Sequence, residues 1–173
     1  MANVSSPLTP IHLTWAKSSA RGRYELTADG AILGSLQRVG FWKPASHTEF
    51  KGQSWSFQRS GLAGTKILQY PGERLVAEFK ANWIGGGKII FADGRQFQLT
   101  AKVFFRPVWS LIDDHSQRIM EITPHNKSVV LFGAAAENCQ ADSHVPVLIM
   151  LSWHQILQAN DDAAAVAASV AAG

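Results

Sequence analysis

Apolar and polar residues alternate with a period of two along most of the chain. Leu75, Ala77, Phe79 and Ala81 alternate with Val76, Glu78, Lys80 and Asn82. Phe97, Leu99, Ala101, Val103 and Phe105 alternate with Gln98, Thr100, Lys102, Phe104 and Arg106, up to Pro107. Successive strand side chains point to opposite faces, so this pattern predicts strands with one apolar side. Residues 55–59 alternate likewise and turn through Gly61 and Gly64 into 66–70, with Pro71-Gly72 as the next turn. Residues 24–36 are split by Asp29-Gly30, and 88–91 lead to Asp93-Gly94. Asp-Gly between two strand-like runs is the strongest short hairpin signal. Segments 109–112, 118–122 and 128–132 are strands separated by turns at 113–116 and 123–126. Residues 48–51 make a weaker strand, and the three glycines 85–87 read as a hairpin connection.

The pattern changes at 145–158. Val147, Leu148, Ile149, Met150 and Leu151 are successive apolar residues, with Asp142 or Ser143 placed to cap a helix and Pro146 in its first turn. A helix that is apolar all round is buried on all sides. Its length of roughly 21 Å, at ~1.5 Å per residue, falls short of the about 20 residues that a membrane span needs.

A meander of short hairpins must dispose of its two edges, and closure into a barrel does so. A closed barrel of about ten to twelve strands is too wide for its own side chains to fill. The apolar helix supplies that filling. The predicted fold is therefore all-β with one central helix: a closed antiparallel barrel of about 12 strands around a buried C-terminal α-helix. The expected organisation is an N-terminal arm over 1–20, a barrel over 21–160 and an Ala-rich flexible tail over 161–173, either a frayed helix or disordered. Within the arm, Ile11, Leu13 and Trp15 alternate with His12 and Thr14, as in a short edge strand or a segment packed on the barrel.

The hairpin at 24–36, the strand-turn-strand units that begin at Trp55 and Trp109, and the apolar helix at 145–158 together resemble the tubby-like superfamily, which includes the phospholipid scramblases and the LURP-one-related proteins. The resemblance covers roughly residues 22–160. It implies a closed barrel around a very hydrophobic helix. It also implies binding of phosphoinositide headgroups by basic side chains on the barrel wall. The scramblase-type cysteine-rich and proline-rich segments are not part of the match.

Composition narrows the picture. Apolar residues make up 46% of the 173 and charged residues 17%, as in a folded domain with a sizeable core. The net charge of +3 favours an anionic surface but is too small to point to nucleic acid. Cys139 is the single cysteine, so no internal disulfide forms, and with no secretory signal in view a cytoplasmic location, peripheral at a membrane, is expected.

Candidate chemistry is thin. The histidines 12, 47, 115, 125, 144 and 154 form no metal-binding spacing, and Gly85-Gly86-Gly87-Lys88 fails the phosphate-loop pattern because Asn82 and Ile89 stand at its fixed positions. Asp113 and Asp114 are adjacent in a turn and point apart. No metal or cofactor is expected. The basic residues are more informative. Lys80, Lys102 and Arg106 share the polar phase of neighbouring strands, with Lys88 nearby, and Trp42-Lys43 adds an aromatic-basic loop of the kind found at lipid headgroups. Lys80, Lys88, Lys102, Arg106, Trp42 and Lys43 are thus the expected ligand-binding residues, toward an anionic lipid or membrane surface. The rival readings are a scaffold for a protein partner, and an enzyme with a site at a barrel mouth near His144 and His154.

Overall fold

Asp29 and Gly30 both adopt positive φ, at 48° and 81°, and bring Ala28 opposite Ala31. That is the two-residue turn whose twist matches flanking strands. It joins β2 (Arg23–Ala28) to β3 (Ala31–Val39). Lys51 and Gly52 repeat the device between β4 (Ala45–Phe50) and β5 (Gln53–Ser60). The computed structural model describes residues 9–19, 21–40, 45–83, 86–102, 106–139 and 141–171.

The meander continues through β6 (Gly64–Tyr70), β7 (Arg74–Asn82), β8 (Gly86–Phe91) and β9 (Gln96–Lys102). It ends in β10 (Val108–Asp113), β11 (Arg118–Thr123) and β12 (Ser128–Leu131). Each strand pairs antiparallel with its chain neighbours. β1 (Ile11–Lys17) then pairs with β12, Ile11 opposite Leu131 and Thr14 opposite Ser128, and closes a barrel of twelve strands. β1 is therefore a wall strand paired on both sides, neither an edge strand nor an arm packed on the barrel. Leu13 and Trp15 face inward and are buried with the rest of the core, which is why this segment cannot stay on the surface. The expected strand over 97–105 is described as far as Lys102, and residues 103–105 lie outside the described residues.

A short helix, α1 (Gly133–Glu137), leads from β12 to α2 (His144–Ala171). All residues of α2 from Val145 to Leu157 are buried. Thirteen residues at ~1.5 Å each give roughly 20 Å, enough to thread the barrel from end to end. Val147, Ile149, Met150 and Leu151 have no exposed surface at all. The helix does not stop at 158 as expected but runs on to Ala171, with its surface exposed beyond the barrel. Alanine is the strongest helix former, and extending an existing helix needs no new nucleus, so of the two readings of the Ala-rich tail, frayed helix or disorder, the structure takes the helix.

Glycine makes room at two places, between helix and wall at Gly34 and between neighbouring strands at Gly87. A Cβ on Gly34 would meet the Met150 Cε and the Glu49 carbonyl oxygen, and one on Gly87 would run into the Phe79 ring. Gly86 and Gly87 therefore lie inside β8 for want of room, not in a loose connection.

Candidate functional site

The barrel has two unlike ends. At the entry end the backbone N–H of His144 donates to Asp142 Oδ1 at 2.9 Å. The His144 ring sits 2.8 Å from the same carboxylate through Nδ1 and 2.9 Å from Asp93 Oδ2 through Nε2. Arg95 bridges both acids at 3.2 Å. The Phe91 ring meets the imidazole edge-on with centroids 4.3 Å apart. Burial pushes the Asp142 carboxyl up, but the His144 N–H and ring and the Arg95 charge outweigh it and hold the group below its ordinary value. This network fastens the start of the helix to the β8–β9 turn.

At the exit end the helix emerges through a cleft of about 1310 Å³. The alternation that builds the wall explains its lining. In β3, Gly34, Leu36 and Arg38 share the inward phase, and in β5 so do Trp55, Phe57 and Arg59. The last inward position of each strand is thus an arginine at the rim. Arg21 in the β1–β2 turn joins them. Arg38 pairs with Asp161 of the emerging helix, and Arg59 Nη2 donates to the Leu62 carbonyl at 3.1 Å. Arg21 makes no side-chain hydrogen bond or ion pair with a described residue. From Leu62, next to Arg59, the lining turns mostly apolar, through Ala63 of the β5–β6 turn, Phe79 and Ala81 of β7 and Trp109 of β10, with Asn82 as a polar member.

The floor is polar and buried. Gln155 Nε2 donates to Thr65 Oγ1 at 2.9 Å. One helix position earlier, His154 Nδ1 and Ser46 Oγ share a hydrogen bond of 2.8 Å, beneath the cleft. Burial first, and then the Arg38 charge, lower the His154 imidazole to about 4, so it is neutral at physiological pH.

Charge is divided between the two ends. Arg21, Arg38, Arg59, Lys80, Lys102 and Arg106 all lie at or near the exit end. Asp29, Glu73, Asp93, Asp113, Asp114 and Asp142 lie at the entry end. Lys51, Arg74, Arg95 and Arg118 are cations of the entry end, and Asp161 and Asp162 are the acids of the exit cleft.

The expected wall residues fall on the exit half. Lys80 of β7 lies directly opposite Lys88 of β8, and both are exposed on the outer face. Lys102 closes β9 opposite Val108, and Arg106 stands in the connection to β10. None of these four makes an ion pair with a described residue, and Glu78, in the polar phase of β7, pairs with neither lysine. Trp42 and Lys43 lie outside the described residues. Just past β7, Trp83 is 94% exposed, and Leu62 at the same end is as open.

The structure does not bring His144 and His154 together. Ten positions apart on one straight helix, they are separated by roughly 15 Å and belong to opposite ends. Asp113, Asp114 and His115 have ligand atoms close enough for a metal ion, in an exposed turn. The cleft arginines escaped the sequence reading, although their signal was there: a charge occupying an apolar-phase position at the end of a strand.

The class so defined is a closed twelve-stranded meander barrel threaded by one helix, with a basic mouth where the helix leaves. No protein-family model, curated protein or solved structure matches the chain. Among the described residues no helix is long and apolar enough to cross a membrane.

Proposed function

We propose that this chain is a non-catalytic binding module that docks on an anionic phospholipid surface, peripherally, through the exit half of its barrel wall. The observation that carries this is the Lys80–Lys88 pair. Like charges placed opposite each other on neighbouring strands repel. No carboxylate among the described residues forms an ion pair with either of these two. A sheet of lipid phosphates would. Trp83 is exposed three residues beyond Lys80, and an indole of this kind suits the headgroup layer, where one side is apolar and the other wet. The charge division between the barrel ends would turn the exit end toward a negative surface before contact. The resemblance to tubby-like barrels supports the same reading, because it implies headgroup binding on the wall.

The test is co-sedimentation with phosphatidylcholine vesicles, with and without phosphatidylserine, across a salt series. Wild type should prefer the anionic vesicles by about 1 kcal/mol per basic residue engaged, and lose the preference as salt screens the exposed charges. Replacing Lys80, Lys88, Lys102 and Arg106 by Gln should abolish the preference and leave stability within about ±0.5 kcal/mol. Equal sedimentation of wild type with both vesicle types at low salt would overturn the proposal.

A further inference from the structure

The exit cleft is separate from the outer wall, and its chemistry is different. The wall offers cations facing solvent. Around the emerging helix the cleft offers two adjoining stretches of different character, arginines from Arg21 through Arg38 to Arg59, then a mostly apolar stretch from Leu62 through Phe79 and Ala81 to Trp109. At about 1310 Å³ it exceeds the usual range for small-molecule sites, roughly 300–1,000 Å³.

Each arc restricts the occupant. Arg38 and Arg59 hold charges on the inward phase of their strands, where the positions below them are buried core. Of the three arginines, Arg38 is matched by Asp161, and Asp162 faces the same space. Arg21 and Arg59 keep guanidinium groups that no carboxylate among the described residues meets. They favour an anion with several acceptor oxygens, such as a carboxylate or a phosphate. The adjoining arc has no charge and favours a hydrocarbon. Phe79 and Trp109 are held in the core, 3% and 8% exposed, so the inner part of that arc is fixed, while Leu62 and Ala81 form its open outer part. At the floor, Gln155 and Thr65 are fixed to each other and close the depth of the cleft with a polar pair. A ligand with a charged head and an apolar body, narrow enough to lie beside a helix, satisfies both arcs at once. From this geometry we infer that the exit cleft binds a single-chain anionic amphiphile, its head at Arg21 and Arg59 and its chain along Leu62, Phe79, Ala81 and Trp109. The site takes one free molecule and does not depend on the lysines of the outer wall.

The experiment is equilibrium dialysis of the full chain, without vesicles, against four probes below their micelle-forming concentrations: dodecanoate, dodecyl phosphate, dodecanol and inorganic phosphate. Dodecanoate or dodecyl phosphate should saturate at one molecule per chain, and the tighter of the two identifies the head. Dodecanol should bind at least about tenfold more weakly, since it loses the charge-assisted contacts to both arginines, and inorganic phosphate should not saturate. Ala81→Trp should block the chain channel and weaken both ionised probes about tenfold or more. Ala81 is exposed and its main-chain N–H bond to Ala63, at 2.8 Å, does not involve the side chain, so the variant should fold. Ala165→Trp, on the exposed part of the helix that lines the cleft, is the second block should Ala81→Trp misfold. Arg21→Gln with Arg59→Gln should bring the ionised probes down to the level of dodecanol. Lys80→Gln with Lys88→Gln should change nothing here while weakening vesicle binding, so the two proposals fail separately. Absence of saturable binding, dodecanol binding as tightly as dodecanoate, binding unchanged in a folded Trp variant, or binding lost with the wall lysines would each overturn the inference.

Discussion

Trp15 of the first strand and Trp153 of the threading helix lie face to face, ring centroids 5.3 Å apart and planes 10° from parallel. Tyr24 on β2 meets the same Trp153 ring edge-on at 6.1 Å. One helix side chain thus joins the strand that closes the barrel to its neighbour. Both indoles are nearly fully buried, and each presents a large apolar area at low entropic cost.

Trp153→Ala should therefore cost about 3–5 kcal/mol, the range for removing a large buried aromatic. Trp153→Phe should keep most of the area and lose far less. Urea unfolding followed by far-UV circular dichroism measures both. A Trp153→Ala variant within about 1 kcal/mol of wild type would show that the helix does not pass through the barrel at this level.

The acid limb of stability should carry the mark of His154. Its folded-state value is near 4, against an ordinary 6.5. Between those two values the unfolded chain binds a proton that the folded chain refuses. Stability is thus complete above about pH 6.5 and falls as pH drops toward 4, by about 3 kcal/mol in all. The carboxyls of Asp93 and Asp142 are held below their ordinary 3.8, so their share is lost at still lower pH. His154→Gln should be weaker than wild type at pH 7, yet lose much less between pH 6.5 and 4. Equal losses in wild type and variant would remove His154 from the account.

Gly34→Ala should destabilise by about 1–3 kcal/mol, since the added methyl meets both a backbone carbonyl and the Met150 side chain. Met150→Ala in the same chain should relieve the side-chain part only, because the Glu49 carbonyl cannot move without disturbing β4. Thermal melts of the two single variants and the double variant give the coupling. Additive effects would contradict a contact between these two sites.

The strands were legible because a half-buried strand writes its two faces into alternate residues, and the Asp29-Gly30 and Asp93-Gly94 turns added local chemistry to that pattern. The threading helix was legible because Val147 through Leu151 leave no polar face. The role of β1 was not, since a short run of alternating residues does not say whether it closes a ring. That depends on β12, more than a hundred residues further along. Gly86 and Gly87 misled because a glycine needed for space between strands looks in sequence like one needed for a turn. The lysines at 80 and 88 stood in the polar phase, and their exposure followed. Arg38 and Arg59 stood in the apolar phase, and only the depth of the barrel shows that these positions reach the rim. His144 and His154 were grouped as neighbours of one mouth, yet a helix buried over its whole passage puts its two ends on opposite sides.

In chain order, every strand of the wall precedes the helix that fills it. A ribosome releases roughly 5–20 residues per second, so the inner faces of β1 and β2 wait on the order of ten seconds before α2 exists. During that time Leu13, Trp15, Leu26 and Leu36 have no completed interior to enter, and the ring cannot shut around nothing. A growing chain of this kind is therefore most prone to aggregate before residue 144 is made, and a chaperone that holds apolar strands apart during synthesis will raise its yield more than any stabilisation of the finished barrel.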